Sequence, residues 1–120
     1  MKVSELAYNE KEGIFINSDN IIDYSDGEKN EQYIYDSLKN SDDNSIFSSF
    51  LHKQIRDWSS EYHFSTYRSN IVRTLPIEKH HRILEIGSGC GAITRYLGET
   101  GAEITSVEGS FSRAKCTRQR

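Results

Sequence analysis

The chain has 120 residues, the size of one small domain, and a formal net charge of −3. It is 35% hydrophobic and 11% aromatic, enough to build a core, which excludes wholesale disorder. No apolar run approaches the roughly 18–20 residues of a membrane span, residues 1–13 lack a signal-peptide segment, and two cysteines exclude a disulfide scaffold. We therefore expect a cytoplasmic protein.

The charge is unevenly distributed along the chain. Residues 1–60 hold 6 Lys/Arg and 12 Asp/Glu, whereas residues 61–120 hold 9 and 6. A basic half can indicate nucleic-acid binding. Here most of the cations are scattered between apolar residues and only residues 113–120 form a cluster, which is typical of a solvated helix face. Nucleic acid is therefore not the expected partner.

The first part of the chain, residues 1–78, is predicted to hold a short hairpin and three helices. Two β-rich runs, Ile14–Ile16 and residues 21–24, are separated by a polar turn. A first helix is expected from about Glu28 to Lys39, with Ile34 and Leu38 facing inward.

Two further helices are predicted before residue 76. Apolar residues at helical spacing indicate an amphipathic helix over residues 46–58, with a stripe of Phe47, Phe50, Leu51, Ile55 and Trp58. The stripe fits either a partner-binding face or, more commonly, a core-facing one. The third helix is expected to begin after Ser65 as N-cap and to end before Pro76, burying Tyr67, Ile71, Val72 and Leu75.

From residue 79 the pattern changes to a strand at 82–86, a helix at 92–97, a strand at 103–107 and the start of a new helix with Ser110 or Ser112 as its cap. This order predicts a βαβ unit with parallel neighbouring strands. The predicted fold class is α/β: residues 79–120 begin a doubly wound, Rossmann-like sheet, and residues 1–78 are a mostly helical segment before it. Each βα unit takes roughly 30 residues, so the chain has room for only part of such a sheet.

The glycine-rich loop after the first predicted strand is the candidate binding site, with the sequence Glu85-Ile86-Gly87-Ser88-Gly89-Cys90-Gly91. Glycine lacks a Cβ and adopts positive φ, so a ligand can lie against the backbone at the carboxyl end of the strand. Glu108 ends the second strand, 21 residues beyond Gly87, where folds of this kind place a carboxylate that binds ribose hydroxyls.

Two ligand classes fit this loop. Gly87, Gly89 and Ala92 match a dinucleotide fingerprint, and such loops hold a pyrophosphate dianion. Glu85, two residues before the first glycine, would repel that charge. A carboxylate there suits a cationic ammonium group, such as the amino-acid end of S-adenosylmethionine. Electrostatics therefore favours the methyl donor over NAD.

Residues 84–91 resemble motif I of class I S-adenosylmethionine-dependent methyltransferases, an acidic residue followed by G-x-G-x-G, and residues 107–110 resemble the acidic end of that family's second strand. The resemblance implies a methyltransferase with S-adenosylmethionine as cofactor. It implies that Gly87, Gly89 and Gly91, with Ser88 between them, line the methionine moiety. It also implies that Glu85 holds the amino group and Glu108 the ribose diol.

Residues 58–65, followed by Arg68, Asn70 and Arg73, are similar to the lead-in of bacterial methyltransferases of this class, some of which are associated with surface-polysaccharide gene clusters. The resemblance implies a small-molecule or saccharide acceptor. It also makes four residues candidates to close over the cofactor: Tyr62, His63, Tyr67 and Arg68. The alternative is that the tyrosines are core aromatics and His63 is a loop residue.

Other functions stay open at this point. A full sheet of this family needs about 200 residues, so we expect an N-terminal part of an enzyme, without activity of its own. The alternatives are an NAD-binding oxidoreductase fragment and a non-catalytic module that binds a partner through Phe50, Leu51 and Trp58. No catalytic base is identified. The pair His80-His81 supplies no zinc-site spacing, so no metal is expected, and Cys90 is interpreted as a small residue in a tight loop.

Overall fold

A computed structural model of the chain describes residues 2–17, 25 and 27–120. Its strands are β1 (Ala7–Asn9), β2 (Ile14–Ile16), β3 (Arg82–Ile86) and β4 (Glu103–Val107). Its α-helices are α1 (Glu28–Lys39), α2 (Ser49–Lys53), α3 (Trp58–Phe64), α4 (Asn70–Arg73), α5 (Ala92–Glu99) and α6 (Phe111–Gln119). Two short 3₁₀ turns lie at Val3–Glu5 and Thr66–Ser69.

The predicted strand at Ile14–Ile16 forms, and its partner is the strand before it. β1 and β2 pair antiparallel, with Tyr8 opposite Phe15. The turn between them places Gly13 at φ 67°, a conformation that glycine adopts without strain. The β-rich run at 21–24, expected to pair with Ile14–Ile16, lies outside the described residues.

The first predicted helix is confirmed at both ends, since α1 spans Glu28–Lys39. Ile34 and Leu38 face inward as expected, with 1% and 0% of their surface exposed.

The single helix predicted over residues 46–58 is wrong. α2 ends at Lys53, and α3 begins at Trp58 with a new N-cap at Asp57. The Asp57 carboxylate accepts the Ser60 N–H at 2.8 Å, and the Ser60 hydroxyl oxygen accepts the Asp57 N–H at 3.0 Å. This reciprocal cap starts a new helix within the predicted one. Residues before and after it therefore no longer share one helix face. Leu51 in α2 is buried, whereas Trp58 at the start of α3 is 70% exposed and Phe47, which lies before α2, is 66% exposed.

The third predicted helix is correct at its start and wrong in its buried face. The Ser65 side chain accepts the Tyr67 N–H, but it caps a 3₁₀ turn, and α4 lasts only from Asn70 to Arg73. Because a 3₁₀ turn has three residues per turn, positions spaced for an α-helix no longer share a face. Ser69 is buried instead, Val72 is half-buried, and three of the predicted core residues are exposed: Tyr67, Ile71 and Leu75.

The βαβ unit forms as predicted. β3 and β4 are parallel and in register, with Ile83 beside Ile104 and Glu85 beside Ser106. α5 runs to Glu99, two residues beyond the predicted end, and α6 begins after Ser110, whose side chain caps it. The described chain is therefore a mixed α/β structure with one antiparallel and one parallel pair of strands.

The β3–β4 pair has one covered and one bare face. Glu85 contacts Thr94 of α5, so it faces that helix together with Ile83, because side chains alternate along a strand. Leu84 and Ile86 lie on the opposite face and are 62% and 80% exposed.

The core lies where α1, α2 and α3 meet the glycine loop and α6. It is formed by Ile34, Leu38, Leu51, Phe64, Cys90 and Cys116. A buried ion pair also joins α1 to α6: Arg113 Nε lies 3.0 Å from Glu31 Oε1, and the Ser112 hydroxyl donates to Glu31 Oε2. The core thus takes residues from both 1–78 and 79–120. The division into those two units stays a prediction.

Among the described residues, no helix combines the length and the apolar character that crossing a membrane requires.

Candidate functional site

The glycine loop joins the carboxyl end of β3 to the start of α5. Gly87, Gly89 and Gly91 have φ values of 80°, 59° and 81°, in the left-handed region that strains other residues. A Cβ added at Gly87 or Gly89 would meet no atom within 4 Å, whereas at Gly91 it would lie 3.0 Å from Thr117 Cα. The first two glycines therefore leave open space beside the backbone, and Gly91 lets α6 approach.

Hydrogen bonds hold the loop against β4 and α6. The Gly87 N–H donates to Val107 O at 2.7 Å, and the Gly91 N–H donates to Ser88 O at 3.0 Å. The Thr117 hydroxyl donates to Gly89 O at 2.8 Å and lies 3.1 Å from Ser88 Oγ. The Ser88 hydroxyl is thus engaged within the protein, and Ser88 itself is buried. The loop is fixed before any ligand arrives.

Glu85 lies at the carboxyl end of β3, half-buried on the face that α5 covers. One carboxylate oxygen, Oε2, accepts the hydroxyls of Thr94 at 2.6 Å and Ser106 at 2.9 Å. The other oxygen, Oε1, has no hydrogen-bond partner within residues 2–17, 25 and 27–120. Both donors are neutral, so the site keeps the negative charge of the carboxylate and can attract a cationic group.

Glu108 follows β4 and ties the loop to the start of α6. Its Oε2 accepts the Gly89 N–H at 2.7 Å, and its Oε1 accepts the Ser110 N–H at 2.9 Å. A carboxylate has about four acceptor positions. Each oxygen of Glu108 therefore keeps room for a second donor such as a sugar hydroxyl.

The four residues expected to close over a cofactor lie in α3 and the turn after it. Tyr62 and Tyr67 are 40% and 77% exposed, so they are not core aromatics. The Arg68 guanidinium lies 3.8 Å from the centre of the Tyr62 ring. His63 is a buried helical residue and not a loop residue, and its carbonyl accepts Arg120 Nη1 at 2.6 Å. The Tyr62 ring contacts Trp58, His63 and Arg68.

Sequence reasoning missed three hydroxyl residues that shape the site: Thr94, Ser106 and Thr117. Ser106 could have been found, because parallel register places it beside Glu85. It also missed a groove of about 470 Å³ along β3, bounded by residues 72–77 and α5 and reaching Gly87 at the carboxyl end. Val72 and Leu75, predicted to be core residues, line this groove.

Cys90 lies in the loop but lacks the properties of a nucleophile. It is 1% exposed, and its hydrogen bond with Cys116, together with burial, raises the pKa of its thiol above the ordinary range. A raised pKa keeps the thiol protonated, so the reactive thiolate does not form.

His80 and His81 lie just before β3, and both contact Glu78 in the preceding turn. His81 Nδ1 accepts the Glu78 N–H at 2.8 Å, and His80 Nδ1 lies 3.4 Å from Glu78 Oε2. In the part of the chain that the structure describes, no three His, Cys, Asp or Glu side chains are grouped to hold a metal ion.

Comparison with known proteins adds no assignment: no family model, no curated protein and no solved structure matches this chain. The functional argument therefore rests on the geometry of the glycine loop and its two carboxylates.

Proposed function

We propose that the chain carries the cofactor site of an S-adenosylmethionine-dependent methyltransferase of class I, and that β3, α5, β4 and α6 begin a Rossmann-like, doubly wound sheet. The observation that carries the proposal is the open space beside Gly87 and Gly89, in a loop that has Glu85 before it on β3 and is bonded to Glu108, the residue after β4. In this site the loop would hold the methionine moiety, Glu85 its ammonium group and Glu108 the ribose diol.

Each carboxylate has the acceptor capacity that its role requires. Within the described residues Glu85 Oε1 has no hydrogen-bond partner, so it can accept the ammonium group in a charge-assisted hydrogen bond, one of the stronger kind. Glu108 is already held by two backbone N–H groups, so its oxygens are fixed in place for the ribose hydroxyls. Both residues flank the same loop, as a ligand with a cationic end and a diol requires.

The bound cofactor supplies an electrophilic methyl group. The protein contributes alignment, since displacement at a methyl carbon requires the acceptor, the carbon and the leaving sulfur to lie in line. Gly87 and Gly89 would hold the methionine moiety, Glu85 the ammonium group and Glu108 the ribose diol, and together these contacts would orient the methyl group. The role of these residues is to bind and orient the cofactor. The acceptor is a small molecule or a saccharide.

Glu85 also distinguishes this proposal from NAD binding. A dinucleotide would place its pyrophosphate dianion on the loop, close to a carboxylate whose Thr94 and Ser106 partners carry no positive charge. The third function, a non-catalytic module, loses one of its three contact residues because Leu51 is buried, whereas Phe50 and Trp58 are exposed.

Calorimetric titration of the chain with S-adenosylmethionine and with NAD⁺ tests the proposal. We expect S-adenosylmethionine to bind at least about tenfold more tightly, a difference of about 1.4 kcal/mol. Glu85→Ala is expected to weaken the binding of S-adenosylmethionine by about tenfold or more, because the ammonium group loses its charged partner. Glu61→Ala is the matched control, since Glu61 is an exposed acid on α3. Equal binding of both cofactors, or binding of neither, would contradict the proposal.

A further inference from the structure

Two elements, β4 and α5, each bring a hydroxyl to one oxygen of Glu85. Ser106 comes from β4, directly beside Glu85 in the parallel register, and Thr94 comes from the first turn of α5. Both hydroxyls donate to Oε2, at 2.9 Å and 2.6 Å. The carboxylate therefore has one oxygen held by a strand and a helix, and one oxygen left for a ligand.

On the covered face, the paired residues change from apolar to polar toward the glycine loop. One step toward the amino ends of the strands, the pair on the same face is Ile83 and Ile104, both apolar and half-buried. At the step next to the glycine loop, the pair is Glu85 and Ser106. An isoleucine pair would pack against α5 without a hydrogen-bond donor, so packing alone does not require a carboxylate and two hydroxyls here.

We infer that Thr94 and Ser106 are positioning residues for the Glu85 carboxylate, and that they make the site selective for ligands with a free amino-acid group. The inference rests on the proposed function and names the residues that give its cofactor site that selectivity. By holding Oε2, the two hydroxyls select one rotamer of Glu85 and aim Oε1 at the ammonium group. Without them the carboxylate is immobilised only when the ligand binds, at a cost in affinity.

Titration with two ligands separates positioning from a structural role. S-adenosylmethionine carries the amino-acid group, and 5′-methylthioadenosine has the same nucleoside and sulfur without it. We expect Thr94→Val and Ser106→Ala each to weaken S-adenosylmethionine binding about three- to tenfold, the range that immobilising one side chain gives. The affinity for 5′-methylthioadenosine stays unchanged, and Thr94→Ser restores the affinity for S-adenosylmethionine because it returns the hydroxyl. Thr105→Val is the control, since Thr105 lies on the bare face of β4.

The outcomes are distinguishable from a failure of the proposed function. Equal loss of both ligands in Thr94→Val and Ser106→Ala would show that the hydroxyls only hold the fold, and would overturn the inference. Unchanged binding of S-adenosylmethionine in both variants would overturn it as well, while leaving the proposed function standing. A wild-type chain that binds neither ligand would overturn the proposed function itself and the inference with it.

Discussion

The two faces of the β3–β4 pair have similar side chains and different surroundings. On the covered face, Ile83, Glu85 and Ile104 are half-buried against α5. On the bare face, Leu84, Ile86 and Val107 are 62%, 80% and 41% exposed. The candidate site belongs to the covered face, because only there does a helix bring a hydroxyl to the carboxylate. Both faces of these strands carry apolar residues, so those residues do not show which face packs against a helix. The hydrogen bond of Glu85 to Thr94 does.

The largest expected effect concerns the buried ion pair that joins α6 to α1. Glu31 and Arg113 are 4% and 10% exposed at their side chains. Glu31→Gln removes the charge that balances Arg113 inside the protein, and we expect a loss of about 3–5 kcal/mol in the free energy of unfolding. Urea denaturation measures it, with Glu28→Gln, an exposed acid in the same helix, as control. A loss equal to that of the control would contradict a buried ion pair.

A matched pair of leucines compares the two faces directly. Leu97 of α5 is 4% exposed on the covered side, and Leu84 of β3 is 62% exposed on the bare side. We expect Leu97→Ala to cost about 2–5 kcal/mol, since it removes buried surface and leaves a cavity. We expect Leu84→Ala to change stability by no more than about 0.5 kcal/mol. Thermal and urea unfolding measure both, and similar losses would show that the bare face is packed in solution.

The smallest effect is a pH dependence of the unfolding free energy that arises from Cys90 in the glycine loop. The hydrogen bond with Cys116 and burial raise the pKa of the Cys90 thiol, with a further contribution from nearby Glu31 and an opposing one from Arg113. Below about pH 8.5 the thiol is protonated in both the folded and the unfolded chain, so stability does not depend on it. Above that pH only the unfolded chain loses the proton, and stability falls by up to about 1.4 kcal/mol per pH unit.

Cys90→Ala isolates this dependence, because the other groups that titrate in alkali are the same in both proteins. The difference in unfolding free energy between wild type and variant is expected to shrink from pH 8 to pH 10. A difference that stays constant would mean that the Cys90 thiolate forms in the folded protein.

The sequence predicted the βαβ unit better than the helical segment for a physical reason. β3, α5 and β4 are separated by glycines whose backbone requirements are local, so the boundaries can be read from residue type. The helix predicted over residues 46–58 was inferred from spacing alone, and spacing does not reveal the Asp57 cap that divides it. The 3₁₀ turn after Ser65 had the same effect on the next helix, since it changed the period.

Only the acidic and glycine residues of the candidate site could be predicted from the sequence. Glu85, Glu108 and the three glycines stand out by type and position. The partners of Glu85 required the strand register and the helix phase together, because serine and threonine occur throughout the chain. The partners of Glu108 are backbone amides, which leave no mark in a sequence.

That last feature gives the loop an uneven tolerance to mutation. Glu108 fastens the glycine loop to α6 through main-chain amides of Gly89 and Ser110, and every residue except proline carries such an amide. This contact needs only the backbone amide of residue 110, whose serine side chain caps α6, whereas at position 108 it needs the carboxylate side chain itself. Variants of this chain are therefore expected to keep the acid at 108, and to exchange Ser110 mainly for residues whose side chains can also cap a helix.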